Sequence, residues 1–130
     1  IPPDSVASQN GISTGLRAKS KGIASWFDET SGKITGFDYN LWVQFKLSKA
    51  EMLATLKYTF DLRMQGNRAP MLFGAHTDYY SSKYTAAPNA TTTERQQTIE
   101  EFLDYVLSHP EARVKSYKEI LDWIRNPTPL

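Results

Sequence analysis

Arg68-Ala69-Pro70-Met71-Leu72-Phe73-Gly74-Ala75-His76-Thr77-Asp78-Tyr79-Tyr80 is the stretch on which the fold reading turns. The apolar run from Met71 to Ala75 is too short for a typical helix and suits a buried strand. It ends abruptly in a histidine, an aspartate and two tyrosines. A titratable residue where a buried strand emerges is where α/β proteins usually place their chemistry. The chain has two histidines, and His76 has the more informative surroundings.

Working outward, Ser48-Lys49-Ala50-Glu51 is a capping-box pattern. The serine hydroxyl can accept from the third amide of the helix while the glutamate reaches back. Leu53, Leu56, Phe60 and Met64 then share one helical face, and Gly66-Asn67 stops the helix, so residues 49–65 are expected to be helical. On the other side, Thr77 to Thr92 is a long polar loop rich in Tyr and Ser. Thr93-Glu94-Arg95-Gln96 reads as a second capping box. It is followed by the stripe Ile99, Phe102, Leu103, Val106, which ends at Pro110. Ser116-Tyr117-Lys118-Glu119 is a third box, opening a helix with Ile120, Leu121 and Ile124 on one side and Pro127 at its end. Leu41 to Phe45 and Ala112 to Lys115 have strand composition, as does Ile23 to Phe27. Residues 1–36 carry many Gly, Ser, Lys and Asn and read as an irregular, loop-rich segment.

The order of elements is therefore β-α-β-α-β-α, which implies a parallel sheet with right-handed crossovers. Three such units cannot close a (β/α) barrel, which needs roughly 250 residues. At 130 residues the expectation is a single partial α/β domain, 1–130, corresponding to the C-terminal half of a larger barrel. Its open apolar edge would then be sticky.

Composition bounds the function. A net charge of +1 offers no global field for nucleic acid or anionic membrane. No apolar stretch approaches the roughly 20 residues needed to span a bilayer. With no cysteine, disulfides and thiolate metal sites are excluded. That absence fits an exported or a cytosolic protein. The opening Ile1-Pro2-Pro3 leads to the expectation of a processed or cut chain, with export to the periplasm or exterior favoured.

Several residues have a bland and a sharp reading. His76 is either a loop histidine held by a carbonyl or a proton-transfer group. Tyr79, Tyr80 and Tyr84 either pack their own loop or present flat rings to a sugar face. Trp26 and Trp42, with apolar neighbours, read as core. His109 sits at a helix end, where a cation complements the carbonyl groups. Two isolated histidines do not make a metal signature.

Gly66-Asn67-Arg68-Ala69-Pro70, the run Phe73-Gly74-Ala75-His76, the helix Glu100-Glu101-Phe102-Leu103 and the ending Val114-Lys115-Ser116-Tyr117-Lys118-Glu119-Ile120-Leu121-Asp122-Trp123-Ile124 resemble the C-terminal part of the polysaccharide deacetylases, the NodB-homology or family 4 carbohydrate esterases. The resemblance covers roughly residues 38–125. It implies a distorted (β/α) barrel and metal-dependent removal of acetyl groups from N-acetylated glycans of the chitin or peptidoglycan kind. It makes His76 the general acid that protonates the leaving amine, with Asp38 orienting it. Trp42 and Leu72 would shape the acetyl pocket, and Tyr79 and Tyr80 would contact the glycan. Gly74 stands where the family has a leucine. The family's metal-ligand motifs are not in this chain, so the implied zinc or other divalent metal is expected on residues outside it, in an N-terminal half acting as partner. The alternative is a non-catalytic deacetylase-like module that binds a glycan or a protein.

Overall fold

A reciprocal cap opens the first long helix. The Ser48 hydroxyl accepts from the Glu51 amide at 3.3 Å, and the Glu51 carboxylate accepts from the Ser48 amide at 2.9 Å. The computed structural model describes residues 38–85 and 87–128. Within them, helix α1 is Lys49–Gln65, α2 is Thr92–Leu107 and α3 is Tyr117–Arg125. A π-helical segment, Tyr39–Gln44, precedes α1, and a 3₁₀ turn, Thr77–Tyr80, lies between α1 and α2. The expected strand Ile23 to Phe27, the loop-rich segment 1–36 and Trp26 lie outside the described residues.

The α/β expectation is overturned: the described residues are helical and contain no β-strand, so the three β-α units of a partial barrel are not there. Each expected strand fails for its own reason. Leu41 to Phe45 winds into the π-helical segment. The Asp38 carboxylate caps it at the Tyr39 amide (2.8 Å), the Asn40 side chain donates to Gln44 Oε1 at 2.7 Å, and the Phe45 amide closes on the Asn40 carbonyl at 2.8 Å. Leu41 and Trp42 are buried there together with Leu47. Bulky apolar residues suit any buried surface, and strand preference is a packing preference that tertiary context overrides. Met71 to Ala75 is extended but joins no ladder, and it is not buried: Leu72 is 61% exposed. Ala112 to Lys115 is a connector between α2 and α3, with Val114 58% exposed.

The helices come close to their expected positions. Helix α1 spans 49–65, and Gly66 ends it by donating its amide to the Leu62 carbonyl at 3.0 Å. A Cβ at position 66 would stand 2.8 Å from that carbonyl oxygen, an approach that only glycine permits. Met52, Leu56 and Phe60 face the core, with Leu53 and Met64 at its margin. The second cap falls two residues earlier than Thr93-Gln96. Thr91 is the cap and Glu94 its partner, with the Thr91 amide donating to Glu94 Oε2 at 2.7 Å. A carboxylate accepts more strongly than an amide and also complements the positive end of the helix, so Glu94 sets the register.

Helix α2 packs along α1. Phe102 and Val106 meet the α1 face in one cluster with Trp42 and Leu47. One end of the pair is fastened by Lys49, which reaches Glu101 at 2.6 Å and Gln97 at 2.9 Å. Nearer the other end the Tyr105 hydroxyl donates to the buried Asp61 at 2.7 Å. Helix α3 differs. It has the expected cap, Ser116 with Glu119, and the expected stripe, but it buries no residue. Tyr117, Leu121 and Ile124 are exposed, and Trp123 (43% exposed) donates to the Thr128 carbonyl rather than packing inward. Between α3, the α2 face and the extended segment 68–73 lies an apolar groove of about 750 Å³, reached by Met71, Phe73, Phe102 and Trp123.

Candidate functional site: a histidine–aspartate pair in an aromatic setting

The site begins with Asp38. Its side chain is fully buried, and a buried carboxylate must be matched by donors. Oδ1 accepts from the Tyr39 amide at 2.8 Å and meets His76 Nδ1 at 2.6 Å, and Oδ2 accepts from the His76 amide at 2.7 Å. The Asp38 amide in turn donates to the Gly74 carbonyl at 3.2 Å. Asp38 is thus fixed from both sides, at the start of the π-helical segment and against the extended segment that carries His76.

His76 precedes the 3₁₀ turn, and its carbonyl accepts from the Tyr79 amide at 3.1 Å. Its side chain is 51% exposed although its partner carboxylate has no exposure. The hydrogen bond to Asp38 is the main influence on the ring, and it raises the imidazole pKa above the ordinary 6.5. Desolvation opposes this, and the charges of Asp38 and Asp78 add to it. A ring held at Nδ1 by a carboxylate exchanges protons through Nε2, and the exposure of His76 allows a substrate to approach.

Aromatic rings frame the pair. Tyr79 lies 4.8 Å from the His76 ring, centroid to centroid, tilted by 34°, and Tyr84 lies 4.4 Å beyond Tyr79. Burial pushes the Tyr79 hydroxyl up to about 12, helped by its bond to Tyr84. The Tyr80 hydroxyl accepts from Trp42 Nε1 at 3.3 Å. Burial is the first reason that its pKa, too, is pushed up to about 12. Both phenols therefore stay neutral in ordinary buffers and act as hydrogen-bonding and stacking groups.

Of the residues singled out in the sequence, the structure brings together Asp38, His76, Trp42, Tyr79 and Tyr80. Trp42 is fully buried and donates to the Tyr80 hydroxyl, so it does not line an open cleft. Leu72 lies on the apolar groove with Phe102 and Trp123 and does not join this set. His109 packs edge-on against Phe60 and Tyr105, both at 5.0 Å, with Nδ1 2.9 Å from the Tyr105 carbonyl. Among the described residues no group of three His, Asp or Glu side chains is arranged to hold a metal ion, and no helix is long and apolar enough to cross a membrane.

Sequence reasoning overlooked Arg95. It is buried to 1% exposure inside α2 and reaches the backbone of the loop that carries Tyr79 and Tyr84. A signal was present. Arg95 sits one turn before Ile99 and two turns before Phe102, on the inward face of the stripe, where a solvated arginine has no place. The chain matches no known family model, no characterised protein and no solved structure.

Proposed function

We propose that this chain supplies the proton-donating part of a deacetylase acting on N-acetylated glycans. The observation that carries the reading is the 2.6 Å contact between the buried Asp38 carboxylate and Nδ1 of the half-exposed His76. A carboxylate in that position fixes the ring orientation and favours the imidazolium. Hydrolysis of an acetamide adds water to the carbonyl carbon and breaks the C–N bond. The departing nitrogen needs a proton, which His76 gives, while the water's proton goes to a base elsewhere. The products are acetate and a free amine. The partly exposed ring of Tyr80 suits the C–H face of a pyranose, while Tyr79 is buried between His76 and Tyr84 and backs the histidine.

Zinc or another divalent ion, which would polarise the acetyl carbonyl in such a reaction, belongs in this reading to residues outside this chain, as does the base. The described residues form no cluster able to hold it. The uncovered apolar face of α3 and its groove support the same view: one partner, the N-terminal half of the same protein, would cover that face and bring the missing ligands.

The test is His76→Ala in the complete protein, assayed on acetylated chitooligomers with zinc. Turnover should fall by about 10²–10⁴ with substrate binding kept. Unchanged turnover overturns the reading and leaves a non-catalytic binding module.

A further inference from the structure

We infer that Arg95 is a positioning residue for the His76–Asp38 pair, acting through Tyr84 and Tyr79. Its guanidinium spends its donors on the loop backbone. Nε donates to the Tyr79 carbonyl at 2.6 Å, one terminal nitrogen donates to the Ala90 carbonyl, and the other donates to the Tyr84 carbonyl at 3.1 Å and to the Thr92 hydroxyl at 3.2 Å. The guanidinium carbon also lies 5.7 Å from the centre of the Tyr84 ring. None of these bonds goes to a carboxylate.

Burying an unneutralised cation is costly, and where only volume is needed an apolar side chain of similar size serves as well or better. What the fork achieves, and an apolar residue does not, is to tie three separate carbonyls to one rigid plane. Two of them belong to Tyr79, which stacks on the histidine, and to Tyr84, which stacks on Tyr79. Arg95 bears on Tyr84, Tyr84 on Tyr79 at 4.4 Å, and Tyr79 on His76 at 4.8 Å. The Tyr79 amide is also bonded to the His76 carbonyl, so displacing Tyr79 moves both the face of the ring and the turn that follows it. The catalytic consequence rests on the reading of His76 as proton donor, whereas the positioning itself does not.

Arg95→Met and Arg95→Lys in the 130-residue chain test it by NMR of the histidine ring protons. Both variants should lose the Tyr79 ring-current shift and the nuclear Overhauser contacts between His76 and Tyr79. Lysine should fail like methionine, because one ammonium cannot bridge three carbonyls. His109, packed edge-on against Phe60 and Tyr105, should keep its resonances and report an intact α1–α2 pair. Retained His76–Tyr79 contacts in a folded variant overturn the inference. If neither variant folds, Tyr84→Leu removes the middle of the stack while leaving Arg95 in place. It should loosen Tyr79 in the same spectrum, and an unchanged spectrum overturns the inference. In the complete protein, Arg95→Lys should lower kcat by about 10–100-fold with KM little changed. A normal kcat in Arg95→Lys beside a collapsed kcat in His76→Ala removes the positioning role and keeps the acid. The reverse pattern in the spectra and the assay removes the acid and keeps the positioning.

Discussion

Asp38 grips His76 twice, at the backbone amide through Oδ2 (2.7 Å) and at ring Nδ1 through Oδ1 (2.6 Å). One carboxylate therefore fixes both where the residue sits and how its ring is turned. Two bonds of this kind from a fully buried acid leave the imidazole little rotational freedom even though half of it meets solvent.

Asp38→Asn separates charge from shape. The amide keeps the volume and one acceptor oxygen but loses the negative charge. The His76 titration midpoint, followed by NMR of its ring protons, should fall from its raised value toward or below 6.5. An unchanged midpoint would sink the claim that Asp38 governs the ring. Asp38→Ala should cost about 2 kcal/mol or more in stability, since the amides of Tyr39 and His76 lose a buried acceptor.

The same pair makes stability depend on pH with a definite sign. The folded His76 pKa is raised above the unfolded value of 6.5. Folding therefore favours the protonated form. The contribution is fully present below pH 6.5 and is lost as pH rises through the folded pKa. Urea midpoints of the wild type and His76→Gln, compared from about pH 5 to about pH 9, should differ most at the acidic end. A difference that grows with pH would contradict the assignment.

The register of α2 gives a sharper contrast. Thr91→Ala removes the observed cap and should cost about 1 kcal/mol, while Thr93→Ala, one turn-position inside the helix, should be close to neutral. Thermal or urea unfolding of the two single variants reads this directly. Equal losses would mean that the cap is not confined to Thr91.

Trp42 is fully buried and donates to the Tyr80 hydroxyl at 3.3 Å. Trp42→Ala should cost about 3–5 kcal/mol by emptying the centre of the core. Trp42→Phe should retain most of the packing but release the Tyr80 hydroxyl. Ultraviolet titration should show Tyr80 moving from about 12, and an unmoved Tyr80 would contradict a role for that bond. Because the Trp42 bond lowers the Tyr80 pKa, the shift should be upward.

Helix α3 illustrates how far a local pattern reaches. Ser116 and Glu119 fix its start, and the exposed carboxylate is held down to about 2 chiefly by the backbone and hydroxyl of Ser116 and by Lys115. Ile120, Leu121 and Ile124 make it amphipathic, as the sequence indicates. Nothing in that stripe says what it faces, and in this structure its apolar side remains uncovered.

The sequence by itself determined the helices. Caps and stops are short-range chemistry, closed within three or four residues, and Ser48 with Glu51, Ser116 with Glu119, and Gly66 at the end of α1 are legible without knowledge of the rest of the chain. Strands were not determinable in the same way. Met71 to Ala75 and Leu41 to Phe45 have the composition of strands, but a strand exists only when a distant segment offers its amides and carbonyls. Among the described residues none does, so one run stays extended at the surface and the other coils into a π-helical turn around the Asp38 cap. The site depended on distance as well. Residues 38 apart in sequence meet at 2.6 Å in Asp38 and His76, and the buried Arg95 binds a loop well upstream of it. Such contacts are decided only when the chain closes on itself, because their energy comes from burying charge among donors and acceptors that no local pattern contains.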